Sequence, residues 1–254
     1  MELIWAVLAA VLPAIGWIAI CYWWDRSEPE PPLLIAKLFL SGMILGFVIT
    51  ALLVVLQTIF VTSGTLLPFN ALTDKDGIGQ IFIASMFIAT IYECSKLWLA
   101  RKLVVHEKAF SQVVDGIVYF STVALGAALM ENIIFLTNSS TYAFDLQHNL
   151  LPLVFRFVFN SIISGVCAGI VGFGIGNVYK KSYHNGGVKE TSLTVSWKHP
   201  EIMEGLIIAI LLHTSYLIFV YLNEPRVAGS IAIIGAFYLF TRFASHALTM
   251  NIQE

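Results

Sequence analysis

The sequence predicts an all-α fold, a polytopic transmembrane helix bundle of about seven spans with the N-terminus outside and the C-terminus cytoplasmic. Three observations lead there. Of 254 residues, 58% are hydrophobic and 12% are charged, with a mean hydropathy of +0.82; a soluble domain carries roughly 25% charged residues. The apolar residues gather in runs long enough to cross ~30 Å of hydrocarbon, which takes about 20 helical residues. The polar segments between those runs alternate in basic charge.

The first run, Leu3 to Trp24, opens behind Glu2 without a basic leader and continues without a small-residue cleavage site, so it reads as a retained span. The second, Leu33 to Val61, is longer than a bilayer requires and implies tilt or an interfacial extension. Ile78 to Ala100, Val113 to Leu136, Leu151 to Tyr179, Ile202 to Leu222 and Val227 to Leu248 complete the set. Residues 1–254 are thus expected to form a single integral membrane domain, multi-pass in the cell membrane, which is the inner membrane in a prokaryote. No internal repeat is evident. The polar insertion Ser182 to Glu201, with His184-Asn185-Gly186-Gly187, is expected to form a cytoplasmic turn or hairpin.

Orientation follows from the basic residues. Arg26 and Lys37 flank the first connection, Arg101, Lys102 and Lys108 fill the third, and Lys180, Lys181, Lys189 and Lys198 fill the fifth. The second and sixth hold only Lys75 and Arg226, and Thr137 to Leu150 holds none. Basic residues resist translocation, so connections one, three and five are placed in the cytoplasm.

Several function classes drop out. A net charge of −2 with no basic stripe gives no footprint for nucleic acid. Cys21, Cys94 and Cys167 all lie inside apolar runs, as buried free thiols do, and not as a disulfide framework or a paired-thiol metal site. His106-Glu107 is followed by Lys108, Ala109 and Phe110, so no His-Glu-x-x-His zinc helix is present. Neither a Gly-x-Ser-x-Gly elbow nor a Gly-x-Gly-Asp signature occurs, and the last span has no lysine for a retinal Schiff base.

Ionisable groups are costly in hydrocarbon and need a partner, a cavity or a function. The spans contain few: Glu93 and Lys96 in the third, Asp115 and Glu131 in the fourth, Arg156 with Asn160 and Ser164 in the fifth, His213 in the sixth, Arg242 and His246 in the seventh. One reading is purely structural. Glu93 pairs with Lys96 three residues on, Glu131 pairs with Arg156 at similar depth, His213 is a satisfied core histidine, and Arg242 and His246 snorkel to the interface. The other reading makes them a site. Helical rise puts Glu131 about a dozen ångströms from Glu93 in depth, so their convergence calls for a break near Gly126 or shifted boundaries.

Several short motifs favour the second reading. Asp25-Arg26-Ser27-Glu28-Pro29-Glu30-Pro31 follows the first span, Asp115-Gly116-Ile117-Val118-Tyr119 precedes Glu131-Asn132-Ile133 in the fourth, Arg156, Gly172 and Gly176 lie in the fifth, and Leu212-His213 in the sixth. In order and spacing these resemble the PrsW family of bacterial and archaeal intramembrane proteases, relatives of the CAAX-protease and bacteriocin-processing superfamily. The resemblance implies a bundle whose carboxylates and histidines converge inside the membrane. There Glu93 would activate water against a peptide bond, with Glu131 and His213 as stabilisers or ligands and Lys96, Asn132 and Arg156 in support. It also allows a divalent metal such as zinc, with Glu93, Glu131 and His213 as its possible ligands.

The chain departs from that pattern at four places. Where the family has Glu-Glu-x-x-Lys, this chain has Tyr92-Glu93-Cys94-Ser95-Lys96. Ala127 replaces an aromatic, Ser164 replaces a histidine, and Leu217 replaces a polar residue. A tyrosine is a poor base near neutral pH, and a serine cannot replace an imidazole as ligand or proton carrier. The expected function is therefore a catalytically degenerate protease relative that binds or regulates transmembrane or membrane-anchored proteins within the lipid bilayer. The alternatives are an active intramembrane endopeptidase and a small-solute transporter or channel, the last disfavoured by the sparse charges.

Overall fold

The computed structural model describes residues 2–24, 30–62, 77–104, 110, 112–141, 146–184, 199–222 and 224–250. They form seven α-helices: α1 (Glu2–Trp24), α2 (Pro32–Thr62), α3 (Ile78–Val104), α4 (Val113–Thr141), α5 (Leu146–His184), α6 (Pro200–Tyr221) and α7 (Pro225–Met250). Each expected span lies within one of these helices or overruns it by a residue or two. The main adjustment is α5, which starts five residues before Leu151 and runs five past Tyr179. Five helices, α2 to α6, are long and apolar enough to cross a membrane over Pro32–Leu56, Ile78–Val104, Val113–Thr137, Val154–Val178 and Pro200–Tyr221, and α1 carries a shorter apolar stretch, Ala10–Ile20. The chain is a multi-pass membrane protein. Most of the Ser182–Glu201 insertion, and the Asp25–Pro29 part of the first motif, lie outside the described residues.

The helices start where their sequences allow. Pro32, Pro200 and Pro225 each open a helix, at the position where the missing N–H is not needed. At α4, the Asp115 carboxylate accepts the Gln112 backbone N–H at 2.6 Å, the return half of a capping box. Asp115 is thereby accounted for as a cap.

Helix α4 is the axis of the bundle. Every residue from Asp115 to Leu129 is buried, and α4 packs against α5, α2 and α1, while α3 packs chiefly on α6. In lipid, helices associate through close packing of small residues more than through burial from water. A side chain at Gly116 would run into the backbone of Gly172, and Gly176 meets Val113 in the same seam. Those glycines set how closely α4 and α5 approach. On the opposite face, a Cβ on Gly46 of α2 would sit 2.8 Å from Cα of Ala127. Ala127 is fully buried, with its backbone against α2.

One motif pair also finds its structural meaning. The buried Glu30 carboxylate accepts a hydrogen bond from the buried Tyr119 hydroxyl, tying the segment that precedes α2 to the first third of α4. This fastens two motif blocks to each other.

Candidate active site

The site is built on α3, whose buried face carries Ser85, Ala89, Tyr92, Glu93 and Lys96. Residues three and four apart on a helix share a face, so Glu93 and Lys96 project side by side into the bundle. Both are about 1% exposed. The Lys96 Nζ donates to Glu93 Oε1 at 2.7 Å and to Ser164 Oγ of α5 at 3.3 Å. Ser164 Oγ in turn donates to the Ala124 carbonyl of α4 at 3.2 Å. From α6, His213 Nδ1 meets the same Oε1 of Glu93 at 2.6 Å. One carboxylate oxygen thus holds both an ammonium and an imidazole, while Glu93 Oε2 is buried without a partner.

A second polar group stands beside the first. Asn160 Nδ2 donates to Glu131 Oε2 at 3.3 Å and to Asn132 Oδ1 at 3.0 Å. Asn132 Nδ2 reaches the Phe157 carbonyl at 3.4 Å. Tyr92 bridges outward: its hydroxyl lies 3.4 Å from Thr50 Oγ1 of α2, and its ring is 6.0 Å from that of His213. Glu131 lies within electrostatic range of Tyr92, His213 and Lys96.

Sequence reasoning placed most of this set. Glu93, Lys96 and His213 are in direct contact, and Glu131 and Asn132 share the adjoining network through Asn160. The break near Gly126 is absent, since α4 is continuous from Val113 to Thr141. Side-chain reach bridges the offset: Glu131 interacts electrostatically with Tyr92, His213 and Lys96 across the bundle. The Glu131–Arg156 pair does not form. Arg156 is exposed and its guanidinium stacks 3.7 Å over the Phe135 ring, while Glu131 is satisfied by Asn160. A planar, weakly hydrated cation is well served by an aromatic face. Arg242 pairs with Glu204 at 3.0 Å; the His246 side chain lies outside the described residues. Of the three thiols expected to be buried, Cys167 is buried and donates to the Ala209 carbonyl at 3.5 Å, Cys94 is partly exposed, and the Cys21 side chain lies outside the described residues. Thr50 was missed, because a lone threonine in an apolar span carries no signal until its neighbour across the bundle is known. Asn160 stood out only as a polar residue in a span.

Among the described residues, no group of three or more His, Cys, Asp and Glu side chains is arranged to hold a metal ion, and catalytic zinc ordinarily takes three protein ligands. Ser164, where the resemblance leads one to expect a histidine, is engaged by Lys96.

The comparisons agree with this architecture. Residues 30–244 match the PrsW-protease family, described as PrsW family intramembrane metalloprotease. The chain is 29% identical over 200 residues to Protease PrsW of Oceanobacillus iheyensis, covering 78% of this chain and 79% of that one. It is 28% identical over 171 residues to Protease PrsW of Geobacillus kaustophilus, covering 66% and 68%. No solved structure matches. With 30–244 matched from the segment preceding α2 into α7, the chain belongs to the PrsW family of intramembrane proteases.

Proposed function

We propose that this chain is a catalytically silent member of the family, which holds transmembrane or membrane-anchored segments of other proteins without cleaving them. The observation that carries the reading is the state of Glu93. Its Oε1 is held by Lys96 and His213 at 2.7 and 2.6 Å, and the two positions that should complete the constellation are a tyrosine and a serine already engaged elsewhere. Groups that act as a unit in hydrolysis fail together, and loss of one member costs on the order of 10^4-fold or more in rate. The bundle around them is intact, so a surface for helices is retained.

A second reading keeps hydrolysis, and one observation favours it. Glu93 Oε2 is unpartnered. Glu93 would take a proton from water at that oxygen as the water oxygen adds to the peptide carbonyl carbon, and pass it to the leaving amine as the C–N bond breaks, while His213 and Lys96 hold the carboxylate from the other side.

The two readings differ in what a trapped partner looks like. A photocrosslinking amino acid placed at Phe82, exposed on α3 well away from the polar network, captures membrane proteins that dock there in the native host. The silent reading predicts full-length captured partners in equal amount per folded chain for wild type and Glu93→Gln. Full-length partner that accumulates only in Glu93→Gln, with clipped partner in wild type, would establish the active reading.

A further inference from the structure

We infer that this protein needs no metal, because Tyr92 and Ser164 stand where the family pattern has a carboxylate and an imidazole, and the Lys96 ammonium already balances the one buried carboxylate beside it. The inference concerns the charge balance of the centre and holds whether or not the chain cleaves its partners.

Two geometric facts and one electrostatic one carry it. First, Glu93 Oε1 and His213 Nδ1 lie 2.6 Å apart. That contact commits one carboxylate oxygen and one ring nitrogen to each other. Second, Lys96 reaches past Glu93 to Ser164 Oγ at 3.3 Å, so one ammonium spans the carboxylate of α3 and the hydroxyl of α5. It occupies the space between those two positions, and the serine offers no strong metal donor. Third, Glu93 and Lys96 already cancel in charge at about 1% exposure. A divalent ion added beside them would leave two positive charges in a low-dielectric interior, with Glu131 as the carboxylate nearby to offset one of them. The orphan Glu93 Oε2 supplies a single donor and does not complete a ligand set.

The full-length protein, purified in detergent, exposed to excess zinc and then desalted, is tested by elemental analysis and thermal unfolding. Zinc far below one equivalent, with a Tm that neither zinc nor chelator moves, is the expected result. One tightly retained zinc per chain, with a Tm lowered by chelator, overturns the inference. Lys96→Met supplies the complementary arm. It should lower Tm strongly by stranding the Glu93 carboxylate, and Lys96→Met/Glu93→Gln should recover most of that loss, since both charges are then absent. A Lys96→Met protein as stable as wild type, or a double variant that falls as far as the single losses added together, overturns the role given to Lys96. If Lys96→Met does not accumulate, the metal content of wild type and the folding of the double variant still decide.

Discussion

Around Glu93, three side chains from three helices satisfy one another with little left over. His213 donates the weaker half of that arrangement: without it Glu93 Oε1 keeps Lys96. His213→Leu should therefore cost about 1–3 kcal/mol, the range for losing a hydrogen bond to a charged group, and lower the Tm in detergent without preventing assembly. Asn160→Leu removes the hydrogen bonds that Asn160 gives to Glu131 and Asn132. Its cost should be similar, about 1–3 kcal/mol, because each acceptor loses a donor while Asn132 Nδ2 keeps the Phe157 carbonyl. Thermal unfolding of the purified variants checks both, and a neutral Asn160→Leu would contradict the network drawn here. The sequence made Glu93, Lys96 and His213 legible because charge inside an apolar run is rare and has to be compensated. It could not identify the partner of Glu131. Arg156 and Asn160 are one helical turn apart, and the choice between them depends on side-chain direction and on the Phe135 ring that Arg156 stacks over.

The bundle's helices are held by seams of small residues. Glycines at 116, 172 and 176 let α4 and α5 approach to backbone contact, and Gly42 and Gly46 do the same for α2 on α4. Gly172→Leu should push α5 off α4 and destabilise the protein by about 1–3 kcal/mol or more, since the obstacle is backbone and cannot swing away. Gly16→Ala is the control. Its added methyl group meets nothing within 4 Å on the exposed side of α1, and Tm should stay unchanged or rise slightly. Elution volume and thermal unfolding of the two variants test the seam directly. Helix positions were readable from apolar length alone, since a backbone in lipid has to satisfy its own hydrogen bonds. The overrun of α5 on both sides was not, because the polar and charged residues at its ends, from Gln147 to His184, are equally at home in a loop or in a helix that emerges from the membrane. That the Ala127 backbone lies against Gly46 is visible only once α2 is seen to lie on α4.

For the molecule as a whole, the alternating basic segments place the Arg101–Lys102 end of α3 in the cytoplasm and its Ile78 end outside. In a background with Cys21, Cys94 and Cys167 replaced by alanine, an impermeant thiol reagent added to intact cells should label Ile78→Cys and spare Lys102→Cys. The reverse pattern would invert the topology. The helix levels fit an alternating arrangement: Glu93 lies eleven residues before the end of α3 and His213 thirteen after the start of α6, and the two meet. Family membership and bundle were therefore within reach of the sequence, through ordered motifs and apolar runs. The state of the site was not, because it depends on whether Lys96 and His213 converge on one oxygen of Glu93, a matter of ångströms. The central claim, that this centre is held neutral and does not hydrolyse peptide bonds, meets its most direct test in the native host. New N-termini of membrane proteins are compared by terminal proteomics among wild type, a deletion strain and Glu93→Gln, with the protein's expression and insertion verified. The account predicts no N-terminus that depends on Glu93. A membrane-protein fragment present in wild type and absent from both other strains would contradict it, and would name the substrate of an active protease.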